Sequence, residues 1–255
     1  MYGHVPFGAA NPLSSDGKQT AVSRPGQGSG DVERFLRKAA ATPAVAASKR
    51  ARLVFALDAT MSRQPTWDLA QSLQGKMFEA AGSLGGLDVQ LVYFRGMAEC
   101  RASRFIENGA GLATLMGKIS VRGGQTQIGR VLDHVRDETR RAPIGALIYV
   151  GDAMEERVDA LCGVAGELGL LGVKAFMFHE GADPAAASAF REIARLTGGA
   201  YAAFDQSAPQ RLASLLAAAA AYAAGGAQAL EALAQAPKGD AARLLLTQMR
   251  QGRAP

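Results

Sequence analysis

The sequence predicts an α/β fold: a doubly wound, mostly parallel six-stranded sheet, helices on both faces, and one antiparallel edge strand. Three observations predict it. The apolar runs Leu53–Leu57 and Ala146–Val150 have the length and content of strands buried on both faces, and a carboxylate closes each, Asp58 and Asp152. Apolar residues between such runs recur at helical spacing. Strands separated by helices require crossover connections, which make neighbouring strands parallel.

Taken in order, Leu53–Leu57 is the first strand. A helix follows near Pro65, with Leu69, Leu73, Met77 and Leu84 on one face, since proline suits a first helical turn. Val89–Phe94 is the second strand. Cys100–Ile106 is more polar and suits a sheet edge. Leu112–Ile119 reads as a short helix, and Ile128, Val131, Leu132 and Val135 as the face of another. After the Ala146–Val150 strand, Met154, Val158, Leu161, Ala165 and Leu168 mark a helix and Val173–Phe178 a strand. Phe190, Ile193 and Ala194 mark a helix, Tyr201–Phe204 the last strand, and Leu212, Leu215, Leu216 and Ala219 a final helix.

Length and composition set the frame. A chain of 255 residues, 48% hydrophobic and 20% charged, holds one ordinary domain with extensions. The reading is a basic tail over 1–50, a domain over 51–224, and a helical extension over 225–255 with leucines at 230, 233 and 244–246. Residues 1–30 are rich in Gly, Ser, Pro, Asn and Gln and are expected to be disordered. Asp31 caps a short amphipathic segment carrying Phe35 and Leu36, and Asp240 has the position of a second cap. Residues 1–50 carry seven Lys/Arg against three Asp/Glu, so much of the net charge of +5 belongs to this end. A near-neutral central part argues against nucleic acid binding by the domain. No apolar run reaches the roughly 20 residues of a membrane span, and no signal-peptide pattern opens the chain, so a cytoplasmic protein is expected. Cys100 and Cys162 form no ligand motif and are expected as buried, reduced thiols. Nothing in the pattern speaks to oligomeric state.

The chemistry gathers where the first strand ends. Asp58-Ala-Thr60-Met-Ser62 places three oxygen side chains at two-residue spacing between a strand and a helix. Ligands of open α/β sheets bind beyond the carboxyl ends of the strands, where strand order reverses. Asp152 follows such an end, and Thr126 lies in the turn Gly123-Gly124-Gln125-Thr126 before a helix. Two carboxylates and three hydroxyls suit a hard divalent cation, magnesium or manganese. The absence of His and Cys from the set argues against zinc. His134 and His179 read as surface or supporting residues, and Trp67 as packing.

Together these residues resemble a von Willebrand factor type A (VWA) domain with a metal-ion-dependent adhesion site (MIDAS). The family's Asp-x-Ser-x-Ser motif is matched by Asp58, Thr60 and Ser62, with threonine for the first serine. Its later threonine is matched by Thr126 and its later aspartate by Asp152. The resemblance covers about residues 51–224 and implies a Rossmann-like VWA fold. It implies that the hydroxyls coordinate the metal directly, that the aspartates often act through water, and that a partner's Asp or Glu carboxylate completes the shell. It also implies a protein-binding adaptor rather than an enzyme. Two departures are visible: Thr60 adds a methyl, and Ala153 stands where the family often has glycine.

Two other classes fit parts of the pattern. Asp58 could be the nucleophile of a magnesium-dependent hydrolase or phosphatase, with Asp152 holding the ion. Dehalogenase-type phosphatases, however, need a second aspartate where Thr60 stands, and the sequence has no Walker-type loop, Gly-x-Gly-x-x-Gly or nucleophile elbow. A metal-independent scaffold with the same fold is the third.

Overall fold

Strand β1 (Ala51–Asp58) is buried from Leu53 onward, and it forms the middle of the sheet because nothing from Leu53 to Leu57 needs water. The computed structural model describes residues 50–60, 64–205 and 207–252. The expected tail, the segment at 31–40, and Met61, Ser62 and Arg63 therefore lie outside the described residues.

After β1 come α1 (Gln64–Leu73), α2 (Gly75–Gly82), β2 (Leu87–Arg95), β3 (Glu99–Ile106) and α3 (Gly109–Met116). Then follow α4 (Ile128–Arg141), β4 (Ala146–Gly151), α5 (Val158–Leu170), β5 (Lys174–Glu180) and α6 (Pro184–Thr197). β6 (Ala200–Phe204), α7 (Pro209–Gln235) and α8 (Asp240–Gln251) complete the order. The sheet runs β3-β2-β1-β4-β5-β6, with every pair parallel except β2 and β3. Strand order therefore reverses between β1 and β4, and the crevice beyond their carboxyl ends is where a ligand site belongs.

Alternation along the strands divides the core in two. Leu53, Phe55, Leu57, Ile148, Val150, Phe176 and Phe178 face Trp67, Met77, Leu215, Leu216 and Leu245. Val54, Ala56, Leu147, Tyr149 and Met177 face Val131, Leu132, Leu161, Phe190 and Ile193. The more polar strand, β3, lies at the edge as its pattern predicts.

Several expectations are corrected. The helix read from Pro65 to Leu84 is two helices, because the ladder tightens at Gln74, whose carbonyl accepts from the Met77 N–H (3.1 Å). Met154 is not helical; α5 begins at Val158, since Glu155 and Glu156 are engaged by another loop (below). Asp240 is the first residue of α8 rather than its cap, and its carboxylate pairs with Arg243. Cys100 and Cys162 are only partly buried, though burial pushes the Cys100 thiol up to about 11 and keeps it protonated. Helix α7 is two helical stretches joined across a kink, at the Gly225-Gly226 position where the sequence reading begins the extension; taken together, its 27 residues are long and apolar enough by length and composition to cross a membrane. It bends at Gly226, whose φ of 66° suits glycine, and its leucines 212, 215, 216 and 230 are buried on the sheet, as in a core helix.

The two C-terminal apolar clusters find partners within this chain. Leu230, Leu245 and Met249 join the core, and the Gln248 side chain accepts from the Tyr201 N–H of edge strand β6 (2.8 Å). On the other side of the sheet, His134 of α4 shares a hydrogen bond with the Gln90 side chain (2.9 Å). Burial lowers its pKa from 6.5, outweighing the raising influence of Glu138 and Asp137. The unfolded chain then takes up this proton more readily than the folded one. Stability is expected to be fully present above about pH 6.5 and to decline as pH falls below it. Urea unfolding of the protein and of His134→Gln between pH 7.5 and 5.5 checks this; the variant should show a shallower decline.

Candidate metal centre

The site is built from three loops at the carboxyl ends of β1 and β4. Asp58 ends β1 at 4% exposure, and its Oδ1 accepts from the Thr60 N–H (2.8 Å). This bond turns the chain out of the strand and leaves Thr60 itself 7% exposed. Leu57 pairs with Val150, so Asp58 and Asp152 close adjacent central strands. The 120–127 loop is tied to the same corner, because Arg122 N–H donates to the Ala59 carbonyl (3.0 Å) and Gln125 N–H to the Gly96 carbonyl (3.2 Å). Thr126 is 8% exposed and is joined to the loop after β4: its N–H donates to the Glu155 carboxylate (3.1 Å), and its Oγ1 accepts from the Glu155 N–H (3.2 Å). The structure thus brings Asp58, Thr60, Thr126 and Asp152 to one corner, while Ser62 lies outside the described residues.

Supporting residues hold this corner, and of these the sequence reading named only His179. The Glu156 carboxylate accepts from the N–H groups of Ile128 (2.5 Å) and Gly129 (2.9 Å), filling the role of the cap that Gln127 does not play for α4. The Thr66 hydroxyl donates to the Glu180 carboxylate, both buried, which pins the first turn of α1 to the end of β5. His179, 1% exposed, bridges two elements: one nitrogen lies 3.2 Å from the Asp152 carbonyl, the other 2.9 Å from the Tyr201 hydroxyl. A carbonyl only accepts, so Nε2 carries the proton and Nδ1 accepts from Tyr201. Burial lowers the pKa of His179, in keeping with this neutral form. One signal for these residues was present in the sequence: β5, like β1, ends on a carboxylate. Trp67 is packing, as expected, at 1% exposure with its indole N–H on the Met116 carbonyl (3.3 Å).

The donors fit a hard cation. A carboxylate has about four acceptor positions and a hydroxyl two, so Asp58 can take the Thr60 N–H, and Thr126 the Glu155 N–H, and each can still offer oxygen. Among the described residues no three His, Cys, Asp or Glu side chains converge as a metal cluster. The candidate set is of another kind, with two carboxylates and otherwise hydroxyls.

No protein-family model matches the sequence, and no curated protein does. Solved structures match in fold. The VWA domain of SpRpn10 aligns with a TM-score of 0.52 at 10% identity, over 64% of this chain and 95% of that one. Proximal thread matrix protein 1 from the mussel byssus, with its MIDAS motif occupied by zinc, gives 0.54 at 16% identity, over 66% of this chain and 45% of that one. A second crystal form of the mussel protein gives 0.54 at 17% identity, over 68% and 49%. The chain spans less than half of the mussel protein. What these proteins share with it is a VWA-like Rossmann fold: a six-stranded, mostly parallel sheet with one antiparallel edge strand.

Proposed function

We propose that this protein is a metal-dependent protein-binding module that holds magnesium or manganese with Asp58, Thr60, Ser62, Thr126 and Asp152. One observation carries the reading: Asp58, Thr60 and Thr126, all polar and all under 9% exposed, stand with Asp152 on loops at the carboxyl ends of β1 and β4, where strand order reverses. Carboxylate and hydroxyl oxygens gathered at a sheet's ligand-binding end suit a hard cation. Two carboxylates and neutral hydroxyls balance a divalent charge without crowding it, and magnesium accepts few carboxylates and keeps exchangeable positions. A bound ion would supply an electrophilic position for an incoming carboxylate. The reading is therefore of a binding module rather than an enzyme, whose partner is a protein offering an Asp or Glu side chain. The VWA-like fold, and the zinc-occupied MIDAS of the mussel protein, support it at the level of fold and of metal binding as a class.

Titration calorimetry with magnesium, manganese and zinc tests the proposal. One site is expected for magnesium or manganese, abolished in Asp58→Ala, with an unchanged circular dichroism spectrum because Asp58 lies at the end of its strand. Unaltered magnesium affinity in the variant would sink the assignment.

A further inference from the structure

Beside the candidate centre, the turn Gly96–Ala98 between β2 and β3 holds Met97 at 71% exposure, the second most exposed of the large apolar side chains described. A single exposed apolar residue is ordinary; this one is mounted. The Gly96 carbonyl accepts from the Gln125 N–H (3.2 Å) and the Gln127 side chain (3.3 Å), and the Arg130 guanidinium donates to the Ala98 carbonyl. A turn held at this many points loses little freedom on binding, which favours affinity. At its foot is a hollow of about 410 Å3 lined by Met97, Glu99, Arg101 and Arg122, among others.

Charge gives the hollow a sign. Glu99 is already matched twice, by Arg95 (3.0 Å) and Arg101 (2.8 Å). Arg122 is exposed and, among the described residues, has no ion pair. Its backbone N–H is bonded to the Ala59 carbonyl, one residue before Thr60. An uncompensated cation and a mounted methionine therefore share a hollow that adjoins the candidate centre directly.

We propose that this hollow is a second foothold for the partner, which is an acidic protein segment. One carboxylate would go to the metal, a second to Arg122, and a neighbouring apolar side chain would pack on Met97, whose flexible thioether adapts to varied shapes. The assignment rests on the metal-dependent reading for its first contact and on Arg122 and Met97 for the other two.

Panning a displayed random-peptide library on the full chain in magnesium tests it, with Arg122→Glu, Met97→Ser and Asp58→Ala examined in parallel. Both rim side chains are exposed, and their variants should keep the wild-type circular dichroism spectrum. Peptides selected on the wild type should carry at least two Asp or Glu residues near a Leu, Met, Ile or Phe. They should bind Arg122→Glu about tenfold more weakly or worse, since the change replaces an attraction by a like-charge repulsion, and Met97→Ser several-fold more weakly. Equal binding to both rim variants, or no enrichment at all, overturns the foothold. If chelator and Asp58→Ala abolish binding while the rim variants do not, the foothold falls and the metal reading stands. If the rim variants weaken binding while chelator and Asp58→Ala do not, the foothold stands and the metal reading falls.

Discussion

Gly124→Ala is expected to abolish metal binding and to destabilise the fold by about 1–3 kcal/mol, the range for forcing an extra methyl into a filled site. A Cβ at position 124 would lie 2.3 Å from both the N and the O of Gly96. Both are backbone atoms, so no side-chain rotation relieves the overlap. The 120–127 loop must lift from the Gly96–Ala98 turn, which breaks the Gln125–Gly96 hydrogen bond and pulls on the Arg122–Ala59 one. Thr126 is two residues away and moves with the loop. Calorimetry with magnesium and urea unfolding together check this. An unchanged midpoint would show that the turn yields cheaply, and wild-type magnesium affinity despite a lowered midpoint would show that Thr126 is not a ligand.

Ending the chain after Lys238 is expected to have the larger effect on stability, a loss of at least about 4 kcal/mol. Helix α8 buries Leu245 at 0% exposure and Met249 at 5%. Each such side chain contributes roughly 1.5–3 kcal/mol on leaving water. The truncation also strips Gln248 from the Tyr201 N–H and uncovers the flank of β6. Against a typical total of about 5–15 kcal/mol, that loss is a large share. Leu245→Ala separates packing from the rest and should cost about 2–5 kcal/mol by itself. A truncated chain with the wild-type urea midpoint would mean that α8 rests on the domain without stabilising it.

How much of this was legible in the sequence differs by element. The order of strands and helices followed from apolar periodicity, because a strand buried on both faces has to be continuously apolar and an amphipathic helix has to repeat near every 3.6 residues. Polarity placed β3 at an edge for the same reason. Asp58 and Asp152 stood out because a carboxylate closing an apolar run is a local feature. Met154 was misplaced because the helical period does continue through it; Glu155 and Glu156 take the backbone elsewhere, and their partners at 126–129 are distant in sequence.

By itself, then, the sequence determined the α/β class, the sheet's central and edge strands, and the oxygen side chains that stand where the central strands end. Only the tertiary structure decided what holds those side chains: Glu155 on Thr126, Glu156 on α4, Glu180 on Thr66, and His179 on the Asp152 carbonyl. It also decided that the C-terminal leucines fill this chain's own core, and that Met97 and Arg122 share a hollow beside Ala59. The physical reason is range. Periodicity records which face of an element is dry, whereas a hydrogen bond or a packing partner is chosen by surfaces that meet only after the sheet has formed.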